Sequence, residues 1–462
     1  MVTRSRSCYR SVLRRPRTVS AALTTASCGW CAAVSQNVSR SRSSESWRRK
    51  RPPRWPVWSR ICWSDIADRV AATPAKMKTM TTVRPALLLG PAQPDDPDFR
   101  YATGMAIETA VYLRPQNGGD LLVVPRLELE RARQEASAAA ILERGELGWT
   151  EQRDAFASWT DTALRLLRRE GVTSVRVSPR LAAACYEGLR AAGIELSIEA
   201  QLFQRERRRK SPAEAVAIRS AQEAAEIACV EVIRHLGRAS TGAGGVLELS
   251  GRPVTSERLM AVAQAALNER GHATPEMIVA GAPGCAVPHH RGSGPIQSGG
   301  PVIIDIFPRG LASGYHGDLT RTVVPGEIAP TVQRMHEACV EALRAACAGL
   351  RAGANGRDLH REACRLLVDR GYGTTTPDFE GRQEGPVLTH SLGHGVGLEV
   401  HEEPQLRNLD YELAAGDVVT VEPGLYRPGL GGVRVEDTGM VTEAGFENFT
   451  SLPYSLRPED YL

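Results

Sequence analysis

Between residues 82 and 203, short apolar runs alternate with segments of helical period. ALLLG (86–90) and DLLVVP (120–125) are apolar runs closed by glycine or proline, which predicts strands. TDTALRLLRREG (160–171) spaces its apolar residues three and four apart and predicts a helix, and TSVRVS (173–178) alternates like a further strand. Together they predict a compact α/β domain at residues 81–208, of typical domain size.

The pattern changes after RERRRK (205–210), which looks like a charged linker. SPAE follows: Ser211 suits an N-cap, Pro212 the first helical position, and Glu214 closes a capping box. Long amphipathic helices are then expected through AVAIRSAQEAAEIACVEVIRHL, SERLMAVAQAALNERG, PTVQRMHEACVEALRAACAGLRAG and GRDLHREACRLLVDRGYG. Strand-rich stretches lie between and after them: PVIIDIFP, GYHGDLTRTVVPG, DVVTVEPGLY and GGVRVEDTGMVTEAG. Helices packed outside an antiparallel sheet make residues 209–462 an α+β domain.

Charge separates the first 80 residues from the rest. They hold 17 Lys+Arg against 3 Asp+Glu, leaving 40 against 50 in the remaining 382 residues. The body is therefore acidic, which argues against nucleic-acid binding. The basic leader carries Trp30, Trp47, Trp55, Trp58 and Trp63 with no amphipathic period, so no packed structure is expected there. Three readings fit it: a translated stretch upstream of a start at Met77 or Met80, a targeting peptide, or a basic arm. Cys28 and Cys31 form a CxxC with no second pair at zinc-ribbon spacing. The six cysteines of the body are scattered singly, as core thiols of a reducing, cytoplasmic compartment would be. No run of eighteen apolar residues exists, so no membrane span is expected.

The chemistry concentrates late in the chain. HSLGHGVGLEVHEEP (390–404) spends His390, His394 and His401 in a stretch too glycine-rich for a stable helix. Four acids sit in otherwise apolar strand patterns: Asp305 in VIIDIF, Asp318 after YHG, Glu422 in VVTVEP and Glu436 in VRVED. A buried carboxylate is costly unless paired or bound to a metal. One such acid is ordinarily a hydrogen-bonded structural group; four beside His394 point to metal. Oxygen donors with one imidazole suit a pair of Mn, Co, Zn or Fe ions better than thiolate-bound zinc.

The order Asp, Asp, His, Glu, Glu within these motifs resembles the pita-bread metallopeptidases, and within them the proline-specific branch of Xaa-Pro dipeptidases (prolidases) and aminopeptidase P. The resemblance covers about residues 212–455; DPDFRYATGM and DLLVVPRLELERA more weakly resemble the creatinase-like N-terminal domain. It implies two divalent ions per chain, manganese first, with Asp305 on one metal, Asp318 and Glu436 bridging, and His394 and Glu422 completing the other shell. It also implies that Glu422 shuttles a proton and that His401 steadies the gem-diolate. His289 matches the family's histidine upstream of the first Asp, and His390 and Arg434 match positions of the proline-specific branch. The expected substrate is a peptide with proline second, and the expected assembly is a homodimer.

Asp305 and Asp318 stand thirteen residues apart, wider than the family's common spacing, and the hairpin turn FPRGLASG can absorb the difference. His290 follows His289 where the family usually has an aromatic residue. A methionine aminopeptidase would share the five ligands, but GGVRVED and His390 are not its usual pattern. A creatinase-like hydrolase or an inactive binding protein of this fold would leave the complete ligand set unexplained.

Overall fold

Leu87, Leu88 and Leu89 send alternate side chains into two cores, which makes Ala86–Leu89 an inner strand buried on both faces. It pairs antiparallel with Val111–Arg114 (Leu88 opposite Leu113) and parallel with Ser174–Val177 (Leu88 opposite Val177). Leu121–Val124, Ala140–Glu143 and Glu195–Ile198 complete a six-stranded sheet. Trp159, Leu166 and Leu189 cover one face; Phe99, Met105 and Phe203 cover the other. This is a computed structural model, and it describes residues 85–90, 96–150, 154–379 and 385–461. The basic leader lies outside the described residues.

The capping box at Ser211 and Glu214 forms as expected and opens the helix Pro212–Gly237. Ala225, Cys229, Val232 and Leu236 on that helix pack with Ser256–Asn268 against the strands Val302–Ile306 and Leu319–Val323. A second helix pair, Pro330–Gly349 and Gly356–Asp369, covers Val418–Val421, Gly424–Arg427, Gly431–Arg434 and Asp437–Val441 through Cys339, Leu343, Leu367, Val421 and Val433. These strands run antiparallel, with Asp305 opposite Thr320, Val421 opposite Asp437 and Gly424 opposite Arg434. The mixed helix-and-sheet architecture of the expectation is observed, and the described residues pack as one unit.

Two local expectations are corrected. Only Asp305 lies inside a strand. Asp318 precedes Leu319–Val323, Glu422 falls between two strands, and Glu436 falls between Arg434 and Asp437. At these breaks the alternation of side chains is interrupted, so carboxylates from different strands can turn toward one point. The second correction concerns RERRRK. Gln204–Arg208 is a short helix, and the side chains of Arg207 and Lys210 are 6% and 1% exposed, each against buried acids. Through Arg207 and Lys210 the segment is an ionic junction to the rest of the fold, while Arg205, Glu206 and Arg209 stay exposed.

The long Asp305–Asp318 connection also has a definite form. Arg309–Gly310 leaves the hairpin to pair with His272–Ala273, and a bridge from Arg309 to His316 closes the excursion.

Candidate metal centre

Glycine is the reason His394 can stand where it does. A Cβ on Gly393 would lie 2.1 Å from the Thr420 carbonyl oxygen, and one on Gly395 would lie 2.4 Å from that of Glu403. The strand Gly393–Gly395 is thus pressed between its neighbours with a bulge at His394. Nδ1 of His394 lies 3.2 Å from the Gly395 carbonyl oxygen, which fixes the proton on Nδ1 and leaves Nε2 as a bare donor. That Nε2 lies 3.5 Å from Glu422 Oε1 and 3.7 Å from Asp318 Oδ2.

The acids are held from behind. The Asp318 N–H donates to Gln222 Oε1 at 2.8 Å, and Thr438 Oγ1 donates to the Asp318 carbonyl at 2.7 Å. Glu436 Oε2 accepts from Thr320 Oγ1 at 2.7 Å. One ligand atom each from Asp318, His394 and Glu436 lie within 4.8 Å of one another, all three buried. Asp305 faces the same cavity and is ion-paired with Arg434. Arg434 also donates to the Tyr426 hydroxyl at 2.8 Å and to Thr320 Oγ1 at 3.2 Å.

Four carboxylates around one guanidinium are short of positive charge. Burial and the charges of Glu436 and Asp305 hold Asp318 well above the usual carboxylate range, and burial with Glu422 and Asp305 does the same to Glu436. Burial pushes Glu422 up to about 8, Asp305 adding to the effect and Arg434 opposing it. Burial, with help from the neighbouring His401, pushes His394 down to about 3 and keeps it a neutral donor. Oxygen donors, one bare imidazole nitrogen and a charge deficit fit divalent cations of the harder kind. Asp305, Asp318, His394, Glu422 and Glu436 would hold them.

These groups line a cavity of about 690 Å³ that also takes in His289, His390 and His401. His289 is exposed to it; His290 instead accepts from the Gly292 N–H through Nδ1 at 3.0 Å. The His401 ring stands edge-on to His394 with centroids 4.2 Å apart. Both nitrogens of His390 are engaged, Nδ1 with the Ser391 carbonyl at 2.8 Å and Nε2 with the Tyr426 hydroxyl at 2.9 Å. Gln222, Thr320 and Tyr426 are supporting residues that sequence reasoning missed. Gln222 and Thr320 sit in ordinary helix and strand patterns, and only the pairing of distant segments gives them their tasks. Tyr426, in TVEPGLY beside Glu422, was the one with a local signal.

Fold and site together define a class. Residues 216–443 match the model of Metallopeptidase family M24 and form an M24 domain of pita-bread fold, a family whose site takes divalent metal ions. An Xaa-Pro dipeptidase from Pyrococcus furiosus is 37% identical over 183 residues, 39% of this chain and 49% of that protein. The chain spans about half the length of the curated Xaa-Pro dipeptidases it matches. A probable dipeptidase, PepE, of Mycobacterium tuberculosis is 28% identical over 366 residues, 78% of this chain and 89% of the relative. The crystal structure of the prolidase from Pyrococcus horikoshii OT3 superposes with a TM-score of 0.65 at 27% identity, covering 81% of this chain and 95% of that one. Among the described residues no helix is long and apolar enough to cross a membrane.

Proposed function

We propose that this chain is a dinuclear-metal peptidase that hydrolyses the bond between an N-terminal residue and proline. The observation that carries the reading is the convergence of Asp318, His394 and Glu436, with Asp305 and Glu422, on a cavity that also contains His401. About 690 Å³ suits a short peptide rather than a folded chain. Proline at the second position is supported by the relatives named Xaa-Pro dipeptidase and prolidase.

Asp305 would serve one ion, Asp318 and Glu436 would be shared by the two, and His394 and Glu422 would complete the shell of the other ion. The chemistry that two divalent ions (manganese first; cobalt, zinc or iron as alternatives) would supply there is polarisation of the carbonyl and activation of a water for attack at neutral pH. Glu422 takes the proton of the attacking water and returns it to the departing proline nitrogen. That return matters for an imide bond, whose nitrogen leaves only once protonated. His401 and His289 face the carbonyl oxygen as it gains negative charge. Arg434 and the Tyr426–His390 pair wall the side that receives the pyrrolidine ring.

The test is a length series of Xaa-Pro peptides, with Xaa-Ala controls, assayed with Mn, Co and Zn added separately to chelated protein. Cleavage of Xaa-Pro alone, restored by metal, is expected. Equal cleavage of Xaa-Ala removes the proline assignment. Turnover undiminished without metal removes the dinuclear reading in favour of a creatinase-like hydrolase.

A further inference from the structure

Among the described residues no side-chain hydrogen bond orients the His401 ring; its place over His394 depends on the backbone that carries it. That backbone is irregular from Val396 to His401, and two acids flank the histidine, Glu399 and Glu402. Both are gripped from the RERRRK junction. Arg207 Nη2 donates to Glu402 Oε2 at 2.5 Å and to Glu399 Oε2 at 2.8 Å, while its Nη1 reaches Asp98 Oδ1 at 3.3 Å. Lys210 Nζ donates to Glu402 Oε1 at 2.7 Å, and Arg180 Nη2 donates to Glu399 Oε1 at 2.5 Å. The Glu402 carboxylate lies under its own loop, where a Cβ on Gly397 would meet it at 2.4 Å.

We infer that Arg207 is a positioning residue: by tying Glu399 and Glu402 together it sets the height of His401 over the metal centre. One guanidinium nitrogen bridges the two acids, so moving it shifts both ends of the segment that carries His401. The charges balance, with Asp98, Glu399 and Glu402 against Arg180, Arg207 and Lys210. The side chains of Arg207, Lys210 and Glu402 are 6%, 1% and 5% exposed, so solvent screens the contacts to Glu402 far less than it screens the more open Arg180–Glu399 pair. A smaller cavity of about 250 Å³, lined by His401 together with Arg207, Glu399 and Glu402, leaves the segment room to move if Arg207 lets go. The inference rests on the proposed function in giving His401 contact with substrate.

The experiment is a double-mutant cycle of Arg207→Met and His401→Ala, with Arg207→Lys as the conservative control. Arg207→Met should lower kcat on Ala-Pro on the order of 10²-fold, the cost of a small misplacement, with KM and bound metal little changed. Arg207→Lys should recover part of the loss. In the His401→Ala background, Arg207→Met should cost nothing further. Additive losses overturn the inference, as does an unchanged kcat. A readout free of activity runs beside it: the histidine ring signals of metal-free protein by NMR, with His401 assigned by its loss in His401→Ala. Arg207→Met should shift that signal and leave the distant His336 signal in place; an unmoved His401 signal overturns the inference. If the unaltered protein cleaves no Xaa-Pro peptide, the functional reading fails while the NMR arm still decides the role of Arg207. Should Arg207→Met not fold, Lys210→Met, which frees the other Glu402 oxygen, carries the same cycle and the same NMR comparison.

Discussion

Nε2 of His390 lies 2.9 Å from the hydroxyl of Tyr426, and that contact settles which group holds which proton. Nδ1 faces the Ser391 carbonyl, so it must carry the ring proton and Nε2 must accept. The Tyr426 hydroxyl therefore donates to His390 while accepting from Arg434. Burial, then the Arg434 charge, pushes His390 down to about 3, which keeps this neutral arrangement at working pH. The ring thus faces the cavity as a wall held through Tyr426. Tyr426→Phe removes one link between His390 and Arg434, and His390→Ala removes the wall. We expect about a tenfold fall in kcat/KM on Xaa-Pro peptides for Tyr426→Phe, the scale of one hydrogen bond. His390→Ala should lose more, with metal content unchanged in both. Loss of metal from Tyr426→Phe in elemental analysis would contradict this division of labour.

Gln222 is a polar residue with no exposure on a helix whose buried face is, apart from Glu226 and Cys229, alanine and aliphatic side chains. Its amide accepts from the Asp318 N–H and donates to Thr450 Oγ1 at 3.0 Å. The approach is close because Gly317 has no side chain: a Cβ there would meet the Ala221 and Gln222 backbone at 2.6 Å. Gln222→Leu keeps the volume and orphans a buried N–H, at about 1–3 kcal/mol. We expect a lower midpoint in urea and weaker metal binding, because Asp318 loses the anchor of its backbone. A variant with unchanged metal affinity would show that Asp318 is placed by Thr438 alone.

The positions that meet at the candidate site were legible because each contradicts its surroundings. An acid inside VIIDIF or before PGLY has no cheap explanation in a buried sheet, and three histidines in a glycine-rich stretch have none in a helix. The four long helices were legible from period and capping. Much of the first sheet was not: Val111–Arg114, Ala140–Glu143 and Glu195–Ile198 each carry a charged residue in a four-residue strand, which breaks the continuous apolar run that marked ALLLG and DLLVVP. RERRRK was misread because composition alone cannot distinguish a solvated charge run from a buried one. The acids that bury Arg207 arrive from 192 and 195 residues away.

Glu436→Gln should separate metal binding from stability. It preserves the shape and the contact to Thr320 but removes one of the buried charges that raise one another. We expect the variant to lose at least one ion per chain by elemental analysis. In the chelated state it should melt at or above the temperature of the chelated parent, because a repulsion has been removed. A variant that keeps both ions shows that Glu436 is not a bridging ligand.

The same charge deficit predicts how pH acts on the metal-free protein. Glu422 ordinarily titrates near 4.5 and is held at about 8 in the fold, by burial first and then by Asp305. Between those values the folded chain keeps a proton that the unfolded chain has shed. Stability is therefore lost as pH rises, the loss completing as pH passes through about 8. Asp318 and Glu436, also raised, act in the same direction. The buried histidines act oppositely: burial, and less Arg321 and Arg361, pushes His336 and His360 from 6.5 to about 4, and burial pushes His390 and His394 to about 3. Their effect is confined to pH below 6.5, where acid must charge a buried ring. The interval from pH 6.5 to 8 therefore isolates the carboxylates. Each retained proton is worth about 1.4 kcal/mol per pH unit. We expect the melting temperature of chelated protein to fall across that interval. Manganese-loaded protein should hold level or rise, because the ions keep the carboxylates charged and compensated. The measurement is a pair of melting curves at each pH, with chelator and with metal. A chelated protein that grows more stable from pH 6.5 to 8 would mean that the acids are already compensated without metal, and that the site is not built for two cations.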